Sequence, residues 1–312
     1  MKQEIAEAAA RAWGLAETPV LVAERENTVY RVGDYALRLH RDGYRRLPQL
    51  QSELVWMATL ARGGLDLPAP LPGPEGALIA PVKGRMVSVL RWMPGAPAGT
   101  GPELTVPDPV AFAEALGRMM ARLHDLSDGF TPPPDFTRPN WRAEGLLGPD
   151  PLWGRFWDNP IWTDAQRDVV LAARAAAKAQ LNQLAPTLDQ GLIHADLIPD
   201  NVLVDGDRVI PIDFDDGAWG YRDFELATFL LRQRARPDYP QIRAALIKGY
   251  STRRAVDAGV LDLMILCRAL TYPGWIMTRM DTPGAEAKAG RMTDTALNLA
   301  QTYLTTLEGA RP

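Results

Sequence analysis

The 312-residue chain has very little cysteine. Cys267 is the only one, so an internal disulfide cannot form and a cysteine-rich zinc site is excluded. The chain also lacks an excess of positive charge, because 34 Lys and Arg residues stand against 38 Asp and Glu residues, giving a net charge of -4. We therefore expect no nucleic-acid partner and no anionic membrane surface as a partner.

Long apolar runs are missing as well. No uninterrupted run approaches the roughly 18 apolar residues that a membrane-spanning helix needs. Residues 1–15 have helical periodicity and acidic residues instead of the apolar centre of a signal peptide. With 46% hydrophobic and 23% charged residues, the composition is that of an ordinary soluble globular protein, and we expect a cytoplasmic location. The length suffices for two lobes.

Residues 1–93 have the pattern of a compact unit that is rich in strands. A short amphipathic helix is expected over residues 2–13, and a second helix over residues 48–61, where Pro48 suits the first turn. The alternation of β-branched and apolar residues predicts five strands, at residues 20–23, 29–32, 35–39, 77–81 and 86–90. The segment Pro94-Gly95-Ala96-Pro97 marks the end of this unit, and we place the domain boundary at about residue 93.

Residues 94–312 are predicted to be mainly helical. Asp108 suits the N-cap of a helix that opens with Pro109, and a long alanine-rich helix is expected from Thr163 to about Ala185. Further helices follow from Phe224 onward, with a break expected at residues 272–275, where the sequence is Tyr-Pro-Gly-Trp.

The residues most suited to chemistry lie in the stretch 192–216, LIHADLIPDNVLVDGDRVIPIDFDD. Two β-type runs surround an Asp-Gly turn signal, and such a hairpin brings Asn201 and Asp213 to the same end of two paired strands. An amide and carboxylates there suit Mg²⁺, which takes oxygen ligands and leaves room for substrate phosphates. Asp196 is then free to accept a proton from an attacking hydroxyl. The alternative is a surface loop whose Asp and Asn side chains cap turns.

The form HADLIPDNVLV followed by IDFDD resembles the catalytic and metal-binding segments of kinases. It is similar to the aminoglycoside phosphotransferase family, which includes choline kinases and one class of homoserine kinases. The resemblance implies an α+β, two-lobed, protein-kinase-like fold, with a five-stranded antiparallel N-terminal sheet plus helix and a larger, mainly helical C-terminal lobe. It also implies ATP- and Mg²⁺-dependent transfer of the γ-phosphoryl group to a small hydroxyl-bearing acceptor.

The resemblance carries roles for particular residues. Asp196 would be the catalytic base, with His194 orienting the loop, and Asn201 and Asp213 would hold Mg²⁺. Asp215 would assist a second ion or serve as a turn residue. The short segment from the acidic cluster to the helix at Phe224 leaves no room for the activation segment of regulated protein kinases.

In the family, a basic residue on the third strand holds the nucleotide phosphates and pairs with a glutamate on the following helix. Arg38 and Glu53 occupy these positions. The family usually has lysine there, so Arg38 is a departure, and arginine binds phosphate with a different geometry. The alternative is an exposed strand cation paired with a helix acid.

Two further nucleotide contacts are predicted. The phosphate-covering loop should lie at residues 24–28, where Asn27 and Thr28 offer backbone N–H groups although no glycine-rich motif is present. An ordinary hairpin turn explains the same residues. Residues 90–94 match the kinase hinge, with Trp92 or Met93 lining an apolar slot for adenine.

An aromatic group, consisting of Trp141, Trp153, Phe156, Trp157 and Trp162, precedes the catalytic stretch. It suits a cation–π cage for an ammonium acceptor, but packing of a helical subdomain is the interpretation we favour. Homoserine, choline or ethanolamine, an amino sugar and an antibiotic all fit as acceptors. The sequence predicts no oligomeric state.

Three other functions remain open at this point. A Ser/Thr protein kinase of the same fold is disfavoured by the short segment after the acidic cluster. A non-catalytic nucleotide-binding module is suggested only by Arg38. A metal-dependent hydrolase would use the same carboxylates, but the strand pattern upstream is that of a kinase.

Overall fold

The computed structural model describes residues 1–24, 27–43 and 45–309. Within them, the α-helices are α1 (Lys2–Ala12), α2 (Leu47–Arg62), α3 (Pro109–Asp128), α4 (Ala143–Leu147), α5 (Asp164–Leu184), α6 (Arg222–Gln233), α7 (Tyr239–Tyr250), α8 (Ala258–Met277) and α9 (Ala285–Gly309). The strands are β1 (Val20–Glu24), β2 (Thr28–Val32), β3 (Tyr35–Leu39), β4 (Ala80–Val82), β5 (Arg85–Arg91), β6 (Ala96–Pro97), β7 (Gly99–Thr100), β8 (Glu103–Leu104), β9 (Asn140–Trp141), β10 (Gln190–Ile193), β11 (Val202–Asp205), β12 (Arg208–Pro211) and β13 (Ala218–Tyr221).

The chain folds into two compact units, each discontinuous in sequence. The first unit consists of Met1–Pro107, Arg122–Arg138 and Pro199–Gly217. The second unit consists of Asp108–Ala121, Pro139–Ile198 and Ala218–Pro312. The first unit thus includes the hairpin and acidic cluster in addition to the N-terminal stretch. The boundary expected near residue 93 stays a prediction.

The first unit contains the five-stranded antiparallel sheet that was predicted, in the order β1-β2-β3-β5-β4. One face is apolar because alternate residues such as Leu37, Leu39, Val87 and Val89 point inward, and α1 packs on it. Gly33, at φ +58°, allows the tight turn from β2 to β3. The fourth strand begins at Ala80 instead of residue 77, because the chain still bends at residues 78–79 after a short 3₁₀ turn over residues 74–76.

Helix α2 places one acidic residue among its apolar contacts. Leu50, Leu54, Trp56 and Met57 are buried on its inner face, and Glu53 is buried with them. The Arg46 N–H donates to the Gln49 side chain at the start of the helix. An acid that is fully buried in a helix needs a cationic partner, and β3 supplies it, as described below.

The second unit is mainly helical, with a small sheet in the order β10-β13-β9. The predicted break at residues 272–275 is wrong, since α8 runs through Pro273 without interruption. Burial on nearly all sides stabilises this helix, and tertiary packing therefore overrides the local effect of proline. By length and composition α8 is the one helix among the described residues that could cross a membrane, but 78% of its apolar window is buried inside the fold, as in a core helix.

Candidate active site

The hairpin in the first unit brings two predicted metal ligands to one end. Val202 of β11 pairs with Pro211 of β12, and the Ile212 N–H donates to the carbonyl of Asn201 at 3.0 Å. Asn201 and Asp213 therefore flank the same end of the two strands, and the hairpin predicted from the Asp-Gly turn signal is confirmed.

Asp213 has a left-handed backbone, with φ +63° and ψ +67°, and begins a 3₁₀ turn over Phe214–Asp216. Left-handed backbone costs energy for a non-glycine residue and persists only where surrounding contacts fix it. Here Arg138 fixes it, because its buried guanidinium donates to the carbonyls of Phe214, Asp215 and Gly217. The Phe214 ring is buried edge-on against Trp56, with centroids 5.4 Å apart.

In the acidic cluster, Asp213–Asp216, the carboxyl groups of Asp213 and Asp215 have raised pKa values. The Asp213 side chain keeps accessible surface. Even so, the loss of hydration around its carboxyl group raises its pKa to about 7, although the charge of Arg38 acts in the opposite direction. Burial and the charge of Glu53 raise the pKa of Asp215 to about 6. Arg45 compensates in part, since its guanidinium lies 2.9 Å from Asp216 and 3.8 Å from Asp215. A bound cation would stabilise the ionised forms of these carboxylates.

Arg38 and Glu53 form a buried ion pair at 2.7 Å, with Arg38 only 6% exposed and Glu53 fully buried. The alternative of an exposed strand cation is thereby wrong, although the predicted pairing with the helix acid is present. Burial lowers the pKa of Arg38, but Glu53, Asp213 and Asp215 together raise it above its ordinary value. Arg38 is thus fixed beside the acidic cluster, where it stays charged.

The residues at this centre suit a magnesium ion that is shared with a substrate. Among the described residues, no group of three or more His, Cys, Asp or Glu side chains is arranged to hold a metal. Asn201, Asp213 and Asp215 supply an amide and two carboxylates, and Mg²⁺ normally completes such a partial set with water and phosphate oxygens. The buried Oδ1 of Asp215 accepts no hydrogen bond from the described part of the chain, and the cation nearest to it there is the Arg45 guanidinium, whose Nε lies 3.8 Å away.

The remaining nucleotide contacts stay predictions. Thr28 is buried and paired with Leu39, while Asn27 accepts the Arg41 N–H at 3.4 Å. Residues 25 and 26 of the predicted loop lie outside the described residues. Met93 is buried, and its contact with adenine stays a prediction. The backbone N–H of Trp92 donates to the backbone carbonyl of Asp34 at 2.8 Å, and Arg31 lies over its ring, so a role of this ring in lining the slot stays a prediction.

The second unit holds the predicted base, Asp196, in the loop that follows β10. The backbone N–H groups of His194 and Ala195 donate to the two carboxylate oxygens of Glu225, at 2.6 and 3.0 Å. This double contact fixes Ala195 in a left-handed conformation, with φ +67°. Glu225 is fully buried, and burial raises its pKa to about 7 despite these two hydrogen bonds and the nearby Arg268.

Sequence reasoning missed the residue that binds Asp196. Nη2 of Arg268, from the middle of α8, lies 2.8 Å from Oδ1 of Asp196. A single arginine in an otherwise apolar helix segment was the available signal, because a buried guanidinium requires an anionic or polar partner. Arg45 and Arg138 were also missed, since nothing in their local sequence indicates the distant residues that they contact.

The aromatic group packs the second unit, as we favoured. Trp141 stacks on Phe224 with centroids 5.5 Å apart, and Trp153 meets Trp141 edge-on at 5.1 Å. Arginines of the chain already lie over two of these rings. The guanidinium carbon of Arg268 is 4.4 Å from the ring centroid of Trp153, and that of Arg174 is 4.1 Å from the ring centroid of Trp157. These two rings therefore do not form a ready cage for an ammonium acceptor.

Comparison with known proteins places this geometry in context. The model of the Phosphotransferase enzyme family matches residues 18–259. Homoserine kinase of Sinorhizobium fredii (strain NBRC 101917 / NGR234) is 34% identical over 260 residues, covering 79% of this chain and 74% of that protein.

Solved structures agree with the predicted kinase-like α+β fold. A microcompartment-associated aminopropanol kinase matches with a TM-score of 0.82 and 26% identity, over 97% of this chain and 98% of that one. Amicoumacin kinase hAmiN, in complex with AMP-PNP, Ca²⁺ and Ami, matches with a TM-score of 0.77 over 95% of this chain and 93% of that one. Its 19% identity supports the fold alone.

Proposed function

Because this chain belongs to the Phosphotransferase enzyme family, we propose that it transfers the γ-phosphoryl group of Mg·ATP to a hydroxyl of a small amino alcohol. The observation that carries the proposal is the pair of charged centres in this one chain. One is an acidic cluster beside a buried Arg38–Glu53 pair, and the other is an aspartate held by a buried arginine. Phosphoryl transfer needs positioned phosphates and a group that accepts the proton of the attacking hydroxyl.

The first unit would bind the nucleotide. Asn201 and Asp213 would hold Mg²⁺, with Asp215 as a further ligand, and the ion would neutralise charge on the phosphates. Arg38, held in place by Glu53, would donate to phosphate oxygens, a contact that arginine makes in a bidentate manner. Met93 would line the adenine site, and the backbone at Asn27 and Thr28 would lie along the phosphates.

The second unit would supply the base. Asp196 would accept the proton of the acceptor hydroxyl. The hydroxyl oxygen would then form a bond to the γ-phosphorus, while the bond between that phosphorus and the oxygen that bridges it to the β-phosphate breaks. Glu225 keeps the backbone at residues 194–195 in the conformation that presents Asp196. ADP and a phosphate monoester are the products.

We propose homoserine as the first acceptor to test and aminopropanol as the second. Relatives in sequence and structure carry those names, and both molecules are short and carry an amine and a hydroxyl, homoserine having a carboxylate in addition. Choline is less favoured, because Trp153 and Trp157 are already covered by the chain's own arginines. We place the protein in the cytoplasm, where ATP is available.

The test is a coupled assay of ADP release with Mg·ATP and a panel of acceptors: homoserine, aminopropanol, ethanolamine, choline and an aminoglycoside. We expect ADP release that depends on one of the short amino alcohols. 2-Aminobutanoate, which is homoserine without its hydroxyl, serves as the matched control and should give no stimulation. Equal ADP release with and without the hydroxyl would contradict transfer to the acceptor and favour hydrolysis.

A further inference from the structure

Arg268 is placed where it can determine the orientation of Asp196. Its side chain is fully buried, whereas the Asp196 side chain keeps 20% of its surface accessible. The carboxylate is therefore partly open to a ligand, but its Oδ1 is bound to a guanidinium that is not. A charge-assisted contact of 2.8 Å is roughly twice as strong as a neutral hydrogen bond.

Three aromatic rings surround the guanidinium of Arg268. Its central carbon lies 4.4 Å from the centroid of Trp153, 4.8 Å from that of Tyr272 and 5.4 Å from that of Phe224. A planar guanidinium stacks on such rings and keeps its N–H groups directed in its own plane, whereas the compact ammonium of lysine has neither property. The rings thus fix the cation, and the cation fixes the carboxylate.

The base is consequently anchored in two ways. Glu225 of α6 binds the backbone at residues 194–195, and Arg268 of α8 binds the side chain at residue 196. Glu225 contacts the backbone of residues 194 and 195 and not the Asp196 carboxylate, so the backbone anchor does not by itself set the rotamer of Asp196.

We propose that Arg268 is a positioning residue for the reaction, which holds the carboxylate of Asp196 in the orientation that accepts the acceptor proton. This inference rests on the proposed role of Asp196 as the base. Arg268 itself is fully buried, with its Nη2 on Oδ1 of Asp196. It acts through Asp196, and the aromatic rings around it act through Arg268.

The test compares Arg268→Lys, Arg268→Gln and Arg268→Ala with the wild type, with kcat and KM measured separately for ATP and for the acceptor. We expect kcat to fall about 10²-fold in all three variants while KM for ATP stays unchanged, since misplacing a catalytic group by about 1 Å costs this much. Lysine should rescue little, because it cannot stack in the same plane. Arg232→Gln is the matched control: Arg232 also lies over Tyr272, at 4.8 Å, and its loss should leave kcat near the wild-type value.

Chemical rescue separates positioning from folding. Arg268→Ala leaves a site beside Trp153 into which guanidinium ion fits, so millimolar guanidinium should restore kcat at least about tenfold in a saturable manner, and ammonium should not. If Arg268→Ala does not fold, Trp153→Leu, which removes the nearest ring, should lower kcat by about tenfold without changing KM for ATP.

Wild-type kcat in Arg268→Gln, or in Trp153→Leu, would overturn the inference. Asp196→Ala separates a failure of the proposed role of Asp196 from a failure of the positioning role of Arg268. If it keeps full activity, the proposed function of Asp196 fails. If it is inactive while Arg268→Gln is fully active, only the positioning role fails.

Discussion

The acidic cluster of the first unit and the Asp196 centre of the second unit are both built from aspartates and arginines, but in opposite balance. In the first unit, desolvation and mutual repulsion raise the pKa of Asp213 to about 7 and that of Asp215 to about 6, even though Arg38 is close to both. In the second unit, Asp196 has a buried arginine of its own at 2.8 Å.

This difference in the balance of charges suits the two centres to different proposed roles. A cluster of carboxylates that is costly to ionise gains stability from any added cation, which is the property of a metal and nucleotide site. A single carboxylate paired with a fixed arginine is held in one orientation, which suits the proposed role of a general base. In the proposed function, the same residue types would serve two roles because their cationic partners differ.

The largest expected effect is the loss of kcat when the proposed base of the second unit, Asp196, is removed. Asp196→Ala should lower kcat by about 10²–10⁴-fold, the usual contribution of a general base, while nucleotide affinity stays close to that of the wild type. Steady-state kinetics on the acceptor found in the ADP-release screen provide the measurement. Asp205→Asn is the control, because Asp205 pairs with Arg208 on an exposed hairpin, where a salt bridge contributes little. Comparable losses in both variants would refute a specific role of Asp196.

The next effect tests the shortage of cations in the first unit. Arg38→Met leaves Glu53 buried without its partner beside Asp213 and Asp215, and should lower the free energy of unfolding by about 3–5 kcal/mol. Glu53→Gln should cost less, because Arg38 then still faces two carboxylates. Denaturant unfolding of both variants provides the measurement. An equal loss in the two variants would contradict an acidic excess at this centre.

A smaller effect concerns the pH dependence of the second unit. Folding raises the pKa of Glu225 from 4.5 to about 7, chiefly by burial. Its contribution to stability is therefore full below pH 4.5 and is lost as the pH rises to 7, by roughly 3 kcal/mol in total. In Glu225→Gln, the free energy of unfolding should decrease less steeply between pH 4.5 and pH 7 than it does in the wild type. The slope is the readout, since glutamine also loses one of the two backbone hydrogen bonds; an unchanged slope would contradict the account.

The sequence was sufficient for what depends on local pattern. The five strands, the α3 N-cap, where the Asp108 carboxylate accepts the N–H groups of Val110 and Ala111, and the hairpin at Asp205-Gly206 follow from residue periodicity and turn chemistry. The pairing of Arg38 with Glu53 followed from the family resemblance. These features need only neighbouring residues or a known pattern.

Other features depend on contacts between distant residues and could not be predicted. Arg138 contacts the turn at residues 214–217 across 76 to 79 positions of the chain, and Arg268 contacts Asp196 across 72. No local pattern encodes such partners. Pro273 was expected to break a helix, because the proline rule is local, whereas α8 is stabilised by burial on nearly all sides.

The most direct test of the two centres is a titration with a non-hydrolysable ATP analogue, with and without Mg²⁺, on the wild type, Asp213→Asn and Asp196→Asn. We predict that Mg²⁺ strengthens binding in the wild type and in Asp196→Asn, and that Asp213→Asn loses this gain by at least about tenfold. The same dependence on Mg²⁺ in Asp213→Asn as in the wild type would contradict the assignment of the metal and nucleotide to the acidic cluster.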